Sequence, residues 1–325
     1  MVARGLTKHF PPDVRAVDGI DLNIGAGKVF GFLGANGSGK TTTIRMLTTL
    51  LQPTSGSAQV DGLDVLRQSM EVRRRIGVAL QEAGLDLLQT GRELLMLQSR
   101  LFGLAGGRLK ARVGELLEIV DMTEAADRRI GTYSGGMKRR LDLATALIHD
   151  PRILFLDEPT TGLDPISRDA IWRHVRTLNE ERGITVFLTT QYLEEADRLA
   201  HELAIIDSGK IIAEGSPEEM KASIGADVIT VKMPDGGAST EAAAEAAVRG
   251  MEGVEDVRSP DGNGTLVIYI KDGARAIAPV VIQLNQAGVE VGEITLARPT
   301  LDDVFLQKTG HHLAEAQAAA AREAV

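Results

Sequence analysis

Short, nearly unbroken apolar runs punctuate the first two thirds of the chain. Residues 29–33, 76–80, 153–156 and 185–189 read as strands without a polar face, the pattern of strands covered on both sides in a parallel sheet. Helical spacing follows from Thr42 onward, over 138–149 and over 192–199. The pattern changes at Ser216-Pro217-Glu218-Glu219. Beyond it the periodicity predicts a strand over 228–233, an Ala-rich helix over 241–251, a strand over 254–258 and a turn at Asp261-Gly262-Asn263-Gly264. A strand over 266–271, a helix over 274–287 and a strand over 289–297 complete the series. That order is βαββαβ, the split βαβ or ferredoxin-like plan. The expected division is therefore a large α/β domain over 1–220 and a small α+β domain over 224–310. An Ala-rich tail over 311–325 reads as a frayed helix, with His311-His312 exposed and idle.

The chemistry enters where the first apolar run ends. Gly34-Ala35-Asn36-Gly37-Ser38-Gly39-Lys40-Thr41 completes the pattern GxxxxGK[ST] between a strand and a helix. Glycines let successive backbone N–H groups converge on phosphate oxygens, Lys40 adds a cation for the β/γ-phosphates, and the Thr41 hydroxyl suits Mg²⁺. The helix that follows, with Thr42 in its first turn, adds its N-terminal dipole. A second run, Ile153 to Leu156, ends in Asp157-Glu158, which puts two acids at the carboxyl edge of the sheet, where ligands of such folds bind. Asp157 is placed to hold Mg²⁺ and Glu158 to polarise an attacking water. Tyr133-Ser134-Gly135-Gly136-Met137 opens the helix over 138–149. Ser134 is either an ordinary N-cap or part of a second anion site.

Composition narrows the partners. The chain has 325 residues, 43% of them hydrophobic, enough for two cores. No run approaches the roughly 18 apolar residues of a membrane span, and Met1-Val2-Ala3-Arg4 opens no signal peptide, so a cytosolic chain is expected. Zero cysteines exclude thiolate metal sites and disulfides. A net charge of −9 argues against nucleic acid. The basic runs Arg73-Arg74-Arg75 and Lys138-Arg139-Arg140 read as solvated helix faces. The small domain offers only Tyr269 in its central strands, too little for base stacking.

Taken together the motifs resemble the ATPase subunit of a bacterial ABC transporter. The cradle resembles Walker A, Tyr133 to Met137 the signature motif, Leu154 to Glu158 Walker B, and Gly162-Leu163-Asp164 the D-loop. Gln81, at the end of the strand over 76–80, resembles the Q-loop, and Gln191 stands where the family has its switch histidine. Phe10 is similar to the aromatic that stacks on adenine, with an ordinary buried Phe as the alternative. Tyr133 and Met137 replace the commoner Leu and Gln of the signature. An amide at 191 can donate to a γ-phosphate oxygen but carries no titrating charge. Gln191 within Thr189-Thr190-Gln191-Tyr192-Leu193-Glu194-Glu195-Ala196, with Arg298-Pro299-Thr300-Leu301-Asp302-Asp303-Val304-Phe305-Leu306 near the end, resembles the daunorubicin-resistance branch of exporters.

The resemblance implies a P-loop ABC-type nucleotide-binding domain followed by a ferredoxin-like accessory or regulatory domain, with ATP and Mg²⁺ as cofactors. Two copies would pair head to tail, each cradle facing Ser134, Gly135 and Gly136 of the other copy. Lys40, Thr41, Gln191 and the metal would stabilise the transferred phosphoryl, Glu158 would direct water, and Asp164 would link the two sites. Gly34, Asn36, Gly37, Ser38, Gly39 and Thr42 would line the nucleotide, and Gln81 would join Thr41 and Asp157 at the metal. A separate membrane permease would dock near Gln81 and residues 82–88, with Leu94, Leu95, Leu97 and Leu101 as lining or core. The ATPase would then sit peripherally on the cytoplasmic face of the membrane, driving export of a hydrophobic drug, antibiotic or lipid. A soluble ATPase of translation or repair is the alternative, against which stand the single cassette and the lack of a heptad run. A regulatory module without turnover is the other, against which stand Asp157 and Glu158.

Overall fold

The computed structural model describes residues 1–81, 84–223, 225–234, 238–258, 264–309 and 313. Expectations for residues 82–83, for the turn residues 261–263, and for the tail from 311 apart from Leu313 lie outside the described residues. The described residues form two compact units, Met1–Pro217 with Lys308, Thr309 and Leu313, and Glu218–Gln307. The chain opens with β1 (Val2–Phe10), β2 (Val14–Asn23), β3 (Val29–Leu33), α1 (Lys40–Leu47), β4 (Ser55–Val60), β5 (Leu63–Asp64), α2 (Ser69–Arg75) and β6 (Ile76–Ala79). It continues through α3 (Gly91–Leu101), α4 (Gly106–Ile119), α5 (Gly135–Ala146), β7 (Ile153–Asp157), α6 (Pro165–Arg182), β8 (Thr185–Thr190), α7 (Leu193–Leu199), β9 (Glu202–Asp207) and β10 (Lys210–Gly215). After α8 (Pro217–Ala222) come β11 (Asp227–Lys232), α9 (Ala238–Arg249), β12 (Val254–Arg258), β13 (Thr265–Ile270), α10 (Gly273–Gln286), β14 (Glu293–Ala297) and α11 (Leu301–Thr309).

The central sheet runs β10-β9-β3-β8-β7-β6. Its last five strands are parallel and β10 closes the edge antiparallel. Every residue of β3, β7 and β8 is buried, as their apolar runs predict. Alternate residues serve opposite faces: Leu154 and Leu156 pack toward the helices α3 to α6, while Ile153 and Phe155 join Phe30, Phe32 and Phe187 on the other side. There Phe187 holds the centre, 5.5 to 5.7 Å from the rings of Phe32, Phe155 and Phe30. A second, antiparallel sheet, β2-β1-β4-β5, belongs to this unit. Register decides what meets at the carboxyl edge. Leu33 lies level with Thr190, and Asp157 with Thr189, so the cradle, the two acids and Gln191 leave the sheet side by side.

The basic run at 138–140 is not the solvated face that its composition suggests. Arg139 is buried, and its guanidinium donates to the carbonyls of Leu80 (2.5 Å), Asp157 (2.8 Å) and Pro159 (2.9 Å) and to Asp142 Oδ2 (3.0 Å). It thereby ties α5 to the ends of β6 and β7. Arg73 and Arg74 are exposed, as expected. Leu94 and Leu95 belong to the core, whereas Leu97 and Leu101 are exposed.

In the second unit the sheet order is β12-β13-β11-β14, every pair antiparallel, which is the ferredoxin-like arrangement. Leu266, Ile268 and Ile270 alternate inward from β13 and pack with Ala244, Val248, Val280 and Leu284 of the helices. The final strand starts at Glu293 rather than at 289. The Val289 N–H is spent on the Leu284 carbonyl (2.9 Å) after Gly288 turns left-handed at φ 76°, so the C-cap of α10 takes residues that hydropathy assigns to the strand.

Burial pushes the Asp142 carboxyl up from 3.8 to about 6 despite Arg139 beside it. Because the folded value lies above the unfolded one, this group contributes stability at low pH that is lost as pH rises through about 6. In denaturant unfolding at pH 5, 6 and 7, Asp142→Asn should flatten that component. The parent should gain about 1 kcal/mol relative to the variant between pH 7 and pH 5, and parallel pH profiles would contradict the shift.

Candidate active site

The cradle is shaped by close approach. A Cβ on Gly34 would lie 2.4 Å from the Ile206 carbonyl oxygen and 2.6 Å from Ser38 Oγ. Gly39, at φ 112°, would put one 2.4 Å from the Ala16 carbonyl. Neither position admits a side chain without moving backbone. Asn36 and Gly37 are exposed at the tip, and the Ser38 hydroxyl is buried without a partner among the described residues. Helix α1 starts at Lys40, two residues before the expected point, so Lys40, Thr41 and the half-buried Thr42 all stand in its first turn. The Lys40 ammonium is buried and donates to the carbonyls of Gly34 (2.8 Å) and Ala35 (2.9 Å), with Glu158 Oε1 at 3.2 Å. Burial pulls its pKa down, and the Glu158 charge opposes that pull.

Asp157 ends β7. Its Oδ1 accepts from Thr189 Oγ1 (2.6 Å) and Thr41 Oγ1 (3.2 Å), while Oδ2 is buried with no partner among the described residues. A hydroxyl and an unpaired carboxylate oxygen are hard donors, and they fit Mg²⁺. Glu158 takes the left-handed region at φ 46°, where a residue with a Cβ is uncommon. Its N–H donates to both the carbonyl and the hydroxyl of Thr189, each at 3.1 Å. Its Oε2 receives the Thr161 hydroxyl (3.3 Å) and a long contact from Gln81 Nε2 (3.4 Å). Gln191 follows β8 directly, half-buried.

The signature and D-loop residues form a second cluster. Ser134 caps α5, its hydroxyl accepting from the Met137 N–H (3.3 Å), and Ser134 and Gly135 are exposed. Asp164 caps α6, accepting from the N–H (3.0 Å) and hydroxyl (2.6 Å) of Ser167, which hold its carboxyl below the usual range. That same serine lies against Gly136, where a Cβ would approach Ser167 Oγ to 2.5 Å. Tyr133 is buried and donates to the Ala125 carbonyl (2.6 Å), so the departure from Leu is a packing feature. Phe10 ends β1 with 37% of its surface exposed and Lys8 Nζ 5.1 Å from its ring centroid, which removes the buried-core alternative.

The fold thus brings Lys40, Thr41, Gln81, Asp157 and Glu158 together, with Gln191 on the adjoining strand end. Two contributors escape the sequence reading. Arg139 could have been found from its spacing, since it lies on the helical stripe with Gly136, Asp142, Leu143 and Ala146, all buried. Thr189 carries no such signal, because only strand register sets it beside Asp157.

Comparisons with known proteins cover both units. A family model described as ABC transporter matches residues 17–161, and one described as ATP-binding protein DrrA1-3-like, C-terminal domain, matches residues 215–309. The daunorubicin resistance ATP-binding protein DrrA2 of Streptomyces coeruleorubidus is 47% identical over 304 residues, 94% of this chain and 93% of that protein. Nod factor export ATP-binding protein I of Paraburkholderia xenovorans is 41% identical over 299 residues, 91% of this chain and 93% of that protein. Among solved structures, cbiO1 from Clostridium perfringens, part of an ABC transporter complex, superposes with a TM-score of 0.64 at 27% identity over 68% of this chain and 90% of its own. A dimeric post-hydrolysis ATP-binding cassette bound to ADP and Pi gives 0.61 at 26% identity over 66% and 97%. A likeness first carried by short motifs therefore extends along nearly the whole chain, which belongs to the ATP-hydrolysing subunits of bacterial ABC transporters, in the daunorubicin-resistance branch.

Proposed function

We propose that this subunit hydrolyses MgATP to drive efflux of a hydrophobic drug, antibiotic or lipid through a separate integral membrane permease. The observation that carries the reading is the buried cluster in which Lys40, Thr41, Asp157 and Glu158 meet at the end of the glycine cradle. Drug-resistance and Nod-factor export relatives support the direction of transport and the class of cargo. Among the described residues no helix is long and apolar enough to cross a membrane, in keeping with peripheral attachment at the cytoplasmic face through the permease. The exposed Leu97 and Leu101, in the helix after Gln81, support docking on that side. The small ferredoxin-like unit, expected over 224–310, is read as an accessory or regulatory module.

The roles follow from position. Backbone N–H groups of the cradle past Gly34 would face phosphate, Lys40 balances charge on the β- and γ-phosphates, and Phe10 covers the adenine. Thr41, Asp157 and the Gln81 amide oxygen would hold Mg²⁺, which would supply positive charge against the negative charge that develops on the transferred phosphoryl. Glu158 accepts the proton of the attacking water, and the Gln191 amide donates to the γ-phosphate as its charge grows. Ser134, Gly135 and Gly136 would close over the nucleotide of a second copy in a head-to-tail dimer. The exposure of Ser134 and Gly135 at the start of α5 and the dimeric state of a solved cassette support that arrangement. Asp164, next to them, would relay between the two sites.

Lys40→Ala should lower ATP affinity and turnover together, because the ammonium meets charge in both ground and transition states. Glu158→Gln should keep binding and slow phosphate release by about 100-fold or more, the scale of a lost general base. Binding assays beside phosphate release separate the two, and a Glu158→Gln enzyme that turns over like the parent would end the base assignment.

Gln191→Ala should cost about 2 to 4 kcal/mol of transition-state stabilisation, the scale of one preorganised donor. Gln191→His should keep activity and add a pH limb near the ordinary histidine value of about 6.5, which the parent lacks at this position. Steady-state hydrolysis of the reconstituted complex decides it, and equal rates for parent and Gln191→Ala would remove this residue from the catalytic set.

A further inference from the structure

Thr189 occupies the crossing point of the site, two residues before Gln191, with no role yet assigned to it. It is fully buried near the end of β8, level with Asp157. Its hydroxyl has one proton and lone pairs to spend. The Glu158 N–H points at that oxygen from 3.1 Å and can only donate, so the hydroxyl proton goes to Asp157 Oδ1 at 2.6 Å. One hydroxyl therefore fixes the carboxylate of one acid and shares, with the Thr189 carbonyl also at 3.1 Å, the N–H of the next. The backbone it holds is the left-handed turn at Glu158, a conformation that persists only where neighbours enforce it. With Oδ1 occupied by Thr189 and Thr41, Oδ2 is the Asp157 oxygen left unpaired. The next residue continues the pattern. The Thr190 carbonyl accepts from the Gly34 N–H (3.3 Å), and its hydroxyl accepts from the Tyr192 N–H (2.9 Å), across Gln191. The end of β8 thus touches the cradle, both acids and the Gln191 turn.

We propose that Thr189 is a positioning residue for the hydrolytic site, its hydroxyl setting the Asp157 carboxylate for Mg²⁺ and sharing with the Thr189 carbonyl the hold on the left-handed turn at Glu158. The inference rests on the reading of Asp157 as metal ligand and Glu158 as base. Packing alone does not account for the hydroxyl. Valine has nearly the same shape and would fill the same place in a β-strand, so a space-filling role predicts that it substitutes freely. Partners that orient a metal-ligating carboxylate typically carry about 10- to 100-fold in metal affinity or activity.

The test uses the full chain with Thr189→Val, Thr189→Ser and, as a control, Asp157→Asn. ATP binding is measured in EDTA and in Mg²⁺, beside phosphate release and thermal unfolding. Thr189→Val is expected to bind ATP in EDTA as the parent does, to lose about tenfold of the affinity gained with Mg²⁺, and to release phosphate at least about tenfold more slowly. Thr189→Ser, which restores the hydroxyl, should return both to within about threefold of the parent. A Thr189→Val chain with the parent's Mg²⁺ gain, while Asp157→Asn loses it, overturns the proposal alone. An Asp157→Asn chain that keeps the gain overturns the ligand reading and the proposal with it. If the valine variant unfolds, Thr189→Ala is read against Thr189→Ser in the same way, and equal Mg²⁺ gains for that pair overturn the proposal.

Discussion

Lys40, Asp157, Glu158, Arg139 and Asp142 crowd five ionisable groups into a buried neighbourhood at one edge of an apolar sheet. An isolated charge moved into such surroundings costs several kcal/mol, and only pairing with complete hydrogen bonding offsets it. The surrounding fold reads as the set of partners that this constraint demands. Lys40 finds Glu158 and two cradle carbonyls; Arg139 finds Asp142 and three carbonyls from two strand ends; Asp157 finds two hydroxyls. Those partners come from β3, α1, β6, β7, β8 and α5, so the six elements cannot shift independently without stranding a charge. The site is rigid for the reason that makes it expensive.

The same accounting suggests how binding and chemistry are joined. Lys40 has three protons, and the structure gives them two neutral carbonyls and one carboxylate. Phosphate oxygens carry full negative charge and form the stronger, charge-assisted bonds. On the proposed reading they compete with Glu158 for the ammonium, and a Glu158 relieved of its cation becomes the better base. One ammonium then links nucleotide arrival to the readiness of the carboxylate that directs water.

How much of this was legible in the chain depends on whether the signal was local. The cradle could be read because its glycines, Lys40 and Thr41 form one short contiguous pattern, although the carbonyls that crowd Gly34 and Gly39 belong to the distant Ile206 and Ala16, and β3, β7 and β8 because burial on both faces leaves an unbroken apolar run. The small unit was legible through the period-two alternation of β13. What escaped depends on which strand lies beside which. Arg139 reads as solvent-facing by its charged neighbours; its helical stripe with Gly136 and Leu143 marks it as interior, but the partners that satisfy it come from the ends of β6 and β7, which no local window shows. Thr189 reads as one more β-branched strand residue until the register sets it opposite Asp157. The late start of β14 was hidden because a C-cap and a strand compete for the same extended residues.

The second cluster gives Asp164 a route to influence the signature without reaching the nucleotide. Asp164 commits its carboxylate to Ser167, through one backbone and one hydroxyl bond, and thereby caps α6. Ser167 in turn packs where a side chain on Gly136 would be, so glycine there is required by the approach of two helices as well as by any anion. Gly135 differs, since a Cβ on it would meet only Leu163 at 3.4 Å, so packing does not require glycine there. A displacement of the turn at Asp164 would move Ser167, and Ser167 cannot move without pressing on or releasing Gly136. The proposed relay between paired sites therefore needs no direct bond from Asp164 to nucleotide; the packing of α6 on α5 supplies the linkage, and the hydrogen bonds of Ser167 set its stiffness.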